Sequence, residues 1–128
     1  MSMEESREAA IMNAVEAGLQ VVYGDEMTLQ LDIDTEEDFA FCKKQLKLLA
    51  KLVPYSNCTV TRSKSNKWHV YVDLKKALAR EDRVTLQATL GSDRTREILN
   101  YTYAAKGGIG ECFLFERKDA DHELLRIK

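Results

Sequence analysis

Residues 57–74 read "NCTVTRSKSNKWHVYVDL", and the architecture turns on how this stretch is paired. "NCTVTRS" (57–63) and "KWHVYVDL" (67–74) both alternate apolar with polar residues, which predicts two strands. The "KSN" between them is of hairpin length, so the strands are antiparallel neighbours.

Working upstream, "MTLQLDID" (27–34) alternates strictly and predicts another strand. Thr35 is a good helix N-cap, and Glu36, Glu37 and Asp38 suit the positive end of a helix dipole. Phe39, Cys42, Leu46, Leu49 and Val53 then form an apolar stripe, with Lys43, Lys44, Lys47 and Lys51 on the other side and Pro54 closing the helix. Before the strand, Ala10, Ile11, Ala14, Val15, Leu19 and Val22 recur at helical spacing. They predict an N-terminal helix over 4–22, broken by Gly24 and Asp25.

Downstream, residues 78–105 read as helical, interrupted at Gly91, with Ser92 capping a second piece. "KGGIG" (106–110) reads as a flexible loop, "ECFLFER" (111–117) as a last strand, and the polar tail 118–128 as a short helix. The core order is β-α-β-β-α-β. Right-handed crossovers and one hairpin then give an α+β, ferredoxin-like or RRM-like antiparallel sheet, with helices on one face and an extra N-terminal helix. The expected strand order is 4-1-3-2.

Length and composition bound the rest. A chain of 128 residues, 45% hydrophobic and 31% charged, reads as one domain with a real core spanning 27–117. A net charge of −2 gives no global basic field, so any polyanion site must be local. Three scattered cysteines (Cys42, Cys58, Cys112) fit a reduced, cytoplasmic protein better than a disulfide framework or zinc site. No apolar run approaches the roughly 20 residues of a membrane span, and the acidic, polar "MSMEESREAA" does not read as a signal peptide.

Period-two geometry assigns side chains to faces. The helix-covered face should hold Leu29, Leu31, Ile33, Cys58, Val60, Trp68, Val70, Val72, Phe113 and Phe115. The uncovered face should carry Gln30, Asp32, Asp34, Thr59, Thr61, Ser63, His69, Tyr71, Asp73, Cys112, Leu114 and Glu116. Trp68 should be protected and Tyr71 reachable.

On that face Asp32, Asp34 and His69 converge, with Glu116 on the other flank of the first strand. Hard carboxylate oxygens, completed by water and phosphate, are what Mg2+ or Mn2+ takes. D-x-D by itself is a weak motif, and Asp34 also fits a solvated residue ahead of the Thr35 cap. The hairpin adds Arg62, Ser63, Lys64, Ser65 and Lys67 just ahead of His69, which suits a phosphate cradle as well as a solvated basic turn.

A D-x-D strand, a helix, and then a hairpin whose serines (Ser63, Ser65) precede a histidine (His69) entering a strand resembles the archaeo-eukaryotic primase and primase-polymerase superfamily. The likeness runs in order over residues 27–117. It implies Asp32 and Asp34 as catalytic metal ligands, Glu116 as a third acid (Asp73 is a weaker match), and Ser63 or Ser65 with His69 as binders of the incoming nucleotide's phosphates. It further implies Mg2+ or Mn2+ as cofactor, nucleotide and single-stranded DNA as partners, and replication of a phage or mobile element as context. The chemistry implied is metal-assisted phosphoryl transfer. Two features depart from the family: "SKSNKWH" has no glycine, and only one helix precedes the first strand where an α/β unit is usual. A catalytically degenerate, minimal form accommodates both.

The competing expectation is a non-catalytic RRM-like module that binds nucleic acid or protein, including a small phage-encoded inhibitor of a host system. RNA-binding sheets stack bases on aromatics of the central strands. Only Tyr71 is offered here, and Asp32 and Asp34 repel phosphate unless a cation intervenes. Hydrolase signatures (G-x-S-x-G, H-E-x-x-H) are absent from the sequence, and His122 reads as an exposed tail residue. Arg80, Arg83, Arg94 and Arg96 read as a solvated helical set facing Glu81, Asp82, Asp93 and Glu97. "LQATLGSDRTREIL" (86–99) receives no role.

Overall fold

A computed structural model describes residues 2–105 and 112–127. The loop expected over 106–110 lies outside the described residues. The order is α1 (Met3–Glu16), β1 (Leu19–Tyr23), β2 (Thr28–Ile33), α2 (Glu36–Leu49), β3 (Tyr55–Arg62), β4 (Trp68–Leu74), α3 (Arg80–Thr89), α4 (Arg94–Ala105), β5 (Phe113–Arg117) and β6 (Glu123–Leu124). It is an α+β fold with antiparallel sheets, and its order is compatible with a ferredoxin-like arrangement carrying an extra N-terminal helix.

The central sheet runs β2-β4-β3-β6 and a second pairs β1 with β5. The hairpin and its neighbour follow the expected 1-3-2 order, with Asp32 opposite His69 in the β2–β4 register and Thr61 opposite His69 in β3–β4. The hairpin turn is built by Ser63: its N–H donates to Lys67 O (2.8 Å), its O accepts from Asn66 N (2.9 Å), and its Oγ accepts from Lys67 N (3.0 Å). Asn66, at φ 63°, takes the left-handed position that asparagine tolerates.

Three expectations give way. The helix over 4–22 ends at Glu16, where Gly18 takes φ 86° and lets the chain reverse. "LQVVY" (19–23) is then a strand. The last strand does not lie beside β2; it pairs with β1, from Leu19 opposite Arg117 to Tyr23 opposite Phe113. The tail forms β6 instead of a helix, with Leu124 opposite Thr59 and Leu125 N donating to Cys58 O at 2.8 Å.

Beside β2, where the last strand was expected, stand side chains of the α3–α4 region. Gln30 N donates to Gln87 Oε1 (3.0 Å) and Gln30 O accepts from Arg96 (2.9 Å). Asp32 N donates to Ser92 Oγ (2.9 Å), and Asp32 O accepts from Asp93 N (2.6 Å). The outward N–H and C=O of Gln30 and Asp32 are thus satisfied without a partner strand, as buried backbone requires.

One face of the sheet packs on α2. Leu29, Leu31, Ile33, Cys58, Val70, Val72 and Leu74 meet Cys42, Leu46 and Leu49, with Phe39 stacked on Trp68 at 5.1 Å. α2 starts as expected, with Thr35 Oγ1 accepting from Asp38 N (3.0 Å). The thiols of Cys42 and Cys58 lie in this core, where burial pushes each up to about 12. No helix among the described residues is long and apolar enough to cross a membrane.

Candidate functional site

The other face of the sheet is not open. Gln30, Thr61, His69 and Tyr71 are buried, at 1%, 1%, 5% and 7% exposure. Tyr71 is therefore sealed where it was expected to be reachable, and Trp68 is the more accessible of the two, at intermediate burial. The cover includes β5, whose inward parity is the reverse of the expected one. Cys112, Leu114 and Glu116 are buried, while Phe113 and Phe115 are half-buried. Phe113, on the other parity, has Arg7 of α1 over its ring at 4.7 Å.

Glu116 is fully buried at the centre of this layer. Its carboxylate accepts from His69 Nδ1, from Thr61 Oγ1, and from Tyr71 Oη at 3.0 Å. The other ring nitrogen of His69, Nε2, faces Asp32 Oδ1 at 3.5 Å. The imidazole thus stands between two carboxylates. Burial by itself would favour its neutral form. The hydrogen bonds to Asp32 and Glu116, with the charges of both, outweigh it and push His69 up to about 9. Burial likewise works to raise Asp32 and Glu116. The His69 hydrogen bond and charge, joined by the Arg96 and Lys67 charges at Asp32 and by the Thr61 and Tyr71 hydrogen bonds at Glu116, outweigh it, so each carboxyl is held below its ordinary value. Burial, then the Glu116 charge, raises Tyr71 and keeps its hydroxyl a donor.

Asp32 and Asp34 line a cavity of about 870 Å³, with side chains 28% and 36% exposed. Ser63, Lys64, Ser65, Lys67 and His69 line it from the hairpin side, and Asp93, Thr95 and Arg96 from the helical side. Lys67 Nζ pairs with Asp34 at 3.3 Å. Its farther wall is more apolar and includes Leu99, Tyr103, Phe113 and Phe115. Such a cavity is of the size that holds small-molecule ligands.

Of the residues singled out in the sequence, Asp32, Asp34, Ser63, Ser65, Lys67 and His69 share this cavity. Glu116 stands behind His69, on the opposite side of the ring from Asp32. Arg62 turns to stack over Trp68 at 4.4 Å, and its Nη2 donates to Asn66 O (2.6 Å), so it braces the turn. Asp73 is exposed at the far end of β4.

Sequence reasoning missed Thr61 and Tyr71 as donors to Glu116; their shared parity with His69 was the available signal. It also misread Arg83 and Arg96 as solvated. Arg83 is buried and donates to Leu78 O (3.0 Å) and Asp25 O (2.7 Å). Arg96 reaches Gln30 O and pairs with buried Glu97.

The oxygens of Asp32 and Asp34 that remain partly exposed suit a hard divalent cation. Those of Glu116 are committed to three donors, so its fit is as the holder of His69. Among the described residues no group of three or more His, Cys, Asp or Glu is disposed to hold a metal ion. A cation at Asp32 and Asp34 would therefore need phosphate or water to complete its shell, the usual habit of Mg2+. Comparison of the chain with family models, curated proteins and solved structures finds no match.

Proposed function

We propose that this chain is a primase-polymerase-like domain that binds a nucleoside triphosphate together with Mg2+ or Mn2+, and that it serves DNA replication in a phage or mobile element. One observation carries the reading: two partly exposed carboxylates, a buried histidine, and a hairpin of serines and lysines line a single cavity. Carboxylates alone would repel a triphosphate and cations alone would not hold a metal. Together they match a metal–phosphate pair.

The cation, when bound, supplies neutralisation of phosphate charge and activation of an attacking hydroxyl. The chain's own residues do the rest. Asp32, near the end of β2, and Asp34, just past it, offer oxygens to one cavity. Lys64 and Lys67 meet phosphate oxygens, and the Lys67–Asp34 pair opens to do so. Glu116 fixes the ring plane of His69 and holds its imidazole protonated, so the pair is neutral overall and leaves His69 Nε2–H as a donor facing Asp32. Single-stranded DNA would lie along the same cationic rim.

A second reading is a binding module without catalysis, for nucleic acid or protein, including an inhibitor of a host system. The engagement of both ring nitrogens of His69, by Glu116 and Asp32, favours it, because an imidazole so held has little freedom to meet a reacting atom. Base stacking on the sheet is disfavoured, since Tyr71 is covered and its hydroxyl is spent on Glu116.

Isothermal titration with MnATP and MnGTP tests the proposal, on wild type and on Asp32→Asn with Asp34→Asn. Binding that weakens at least about tenfold in the double variant supports it. Equal binding, or none by wild type, overturns it. Extension of a DNA primer in Mn2+ then separates the enzyme from the binding module.

A further inference from the structure

We infer that the segment Leu90–Glu97, "LGSDRTRE", is a surrogate strand that holds Asp32 in place, with Ser92 and Glu97 as positioning residues for that carboxylate. In an ordinary sheet the outer N–H and C=O of a residue like Asp32 are fixed by a neighbouring strand. Here both are fixed by this segment, N–H to Ser92 Oγ at 2.9 Å and C=O to Asp93 N at 2.6 Å.

The clamp is itself held from behind. Ser92 Oγ donates to Glu97 Oε2 at 2.6 Å, which aims the oxygen's free lone pairs toward the Asp32 amide. Glu97, at 2% exposure, also accepts from Gln87 Nε2 (2.8 Å), Asn100 Nδ2 (3.0 Å) and Arg96. Arg96 and Gln87 reach on to the two backbone groups of Gln30. A buried carboxylate with four donors is a fully satisfied network, and such networks specify one geometry. This one converges on Gln30 and Asp32, two of the residues of β2 whose backbone faces outward, the second of which carries a carboxylate of the cavity. A solvated helical face would not spend a buried glutamate, a buried glutamine and a buried serine there.

The inference about geometry stands without the metal reading; only its affinity arm rests on it. The test is amide hydrogen exchange followed by NMR on the whole chain, free of ligand, for wild type, Ser92→Ala, Ser92→Thr and Glu97→Gln. Ser92→Ala should speed exchange at Asp32 at least about tenfold, while the amides of Leu31 and Val70, paired within the β2–β4 ladder, keep wild-type protection. Ser92→Thr retains the hydroxyl and should restore the Asp32 amide. Glu97→Gln tests the same link where the alanine variant fails to fold.

In the affinity arm, Ser92→Ala should weaken MnATP binding by about 10- to 100-fold, as loss of an outer partner of a ligand does, and Ser92→Thr should recover it. An Asp32 amide as protected in Ser92→Ala and Glu97→Gln as in wild type overturns the inference. So does equal acceleration at Leu31 and Val70, which reports general loosening. Selective loss at Asp32 with no MnATP binding by wild type supports the clamp and removes the metal reading alone.

Discussion

Replacing Glu116 by alanine removes the acceptor for His69, Thr61 and Tyr71 at once, in a layer where Glu116 is fully buried. A buried polar group left without a partner costs about 1–3 kcal/mol. Breaking a buried ion pair by deleting one partner costs about 3–5 kcal/mol, because the other charge stays uncompensated. These figures overlap rather than add. His69 still has Asp32 at 3.5 Å, so part of its charge remains paired. We expect a loss of about 4 kcal/mol, a large share of the roughly 5–15 kcal/mol available to a domain. Glu116→Gln keeps the shape and one acceptor and should lose about half as much. Urea unfolding followed by the fluorescence of Trp68, the only tryptophan, reads both variants against wild type. A cost below about 1 kcal/mol for alanine, with an unchanged urea slope, would refute the placement of Glu116 as the acceptor that holds this layer together.

Stability should depend on pH in a defined direction. The folded value of His69, about 9, lies above the ordinary 6.5, so its contribution is whole below about 6.5 and is lost as pH climbs toward 9. Asp32 and Glu116 are held low, so their contribution is present above the ordinary carboxylate range and is lost on acidification. Urea midpoints should therefore fall on both sides of a plateau, and a midpoint that rises between pH 6.5 and 9 contradicts this. Gly91 sits at φ 96°, and a Cβ there would stand 3.3 Å from Asp38 O. Gly91→Ala should cost about 1–2 kcal/mol in the same assay; a neutral result contradicts the close approach of α2 and the α3–α4 turn.

What the sequence disclosed followed from strict periodicity. β2, the β3–β4 hairpin and the Thr35 cap were legible because each is set by alternation or by a local bond within a few residues. β1 was not. Leu19 and Val22 continue the helical spacing of α1, and only Gly18 marks the reversal. In "CFLFE" both parities carry large apolar side chains, so pattern alone could not say which faces in; the inward side is the one on which Glu116 meets Thr61, His69 and Tyr71. The site was legible in part: Asp32, Asp34, His69 and the hairpin share a cavity as the alternation required. Its burial was not legible, because His69, Thr61, Tyr71 and Glu116 read as solvated one by one and satisfy each other only as a group. The role of "GSDRTRE" was hidden for a related reason: side chains standing in for a strand leave no repeat to count.

The β1–β5 pairing has a consequence for how the protein is made. Glu116 follows His69 by 47 positions and reaches it only when the last long strand is laid against one from the N-terminal end. While the ribosome is still extending the chain, β2, α2 and the hairpin can gather from contacts nearby in sequence. During that interval the imidazole has no carboxylate behind it. Non-local closure of this kind is the slow part of folding, so the nascent chain carries an unfinished cavity floor until residue 116 has cleared the exit tunnel.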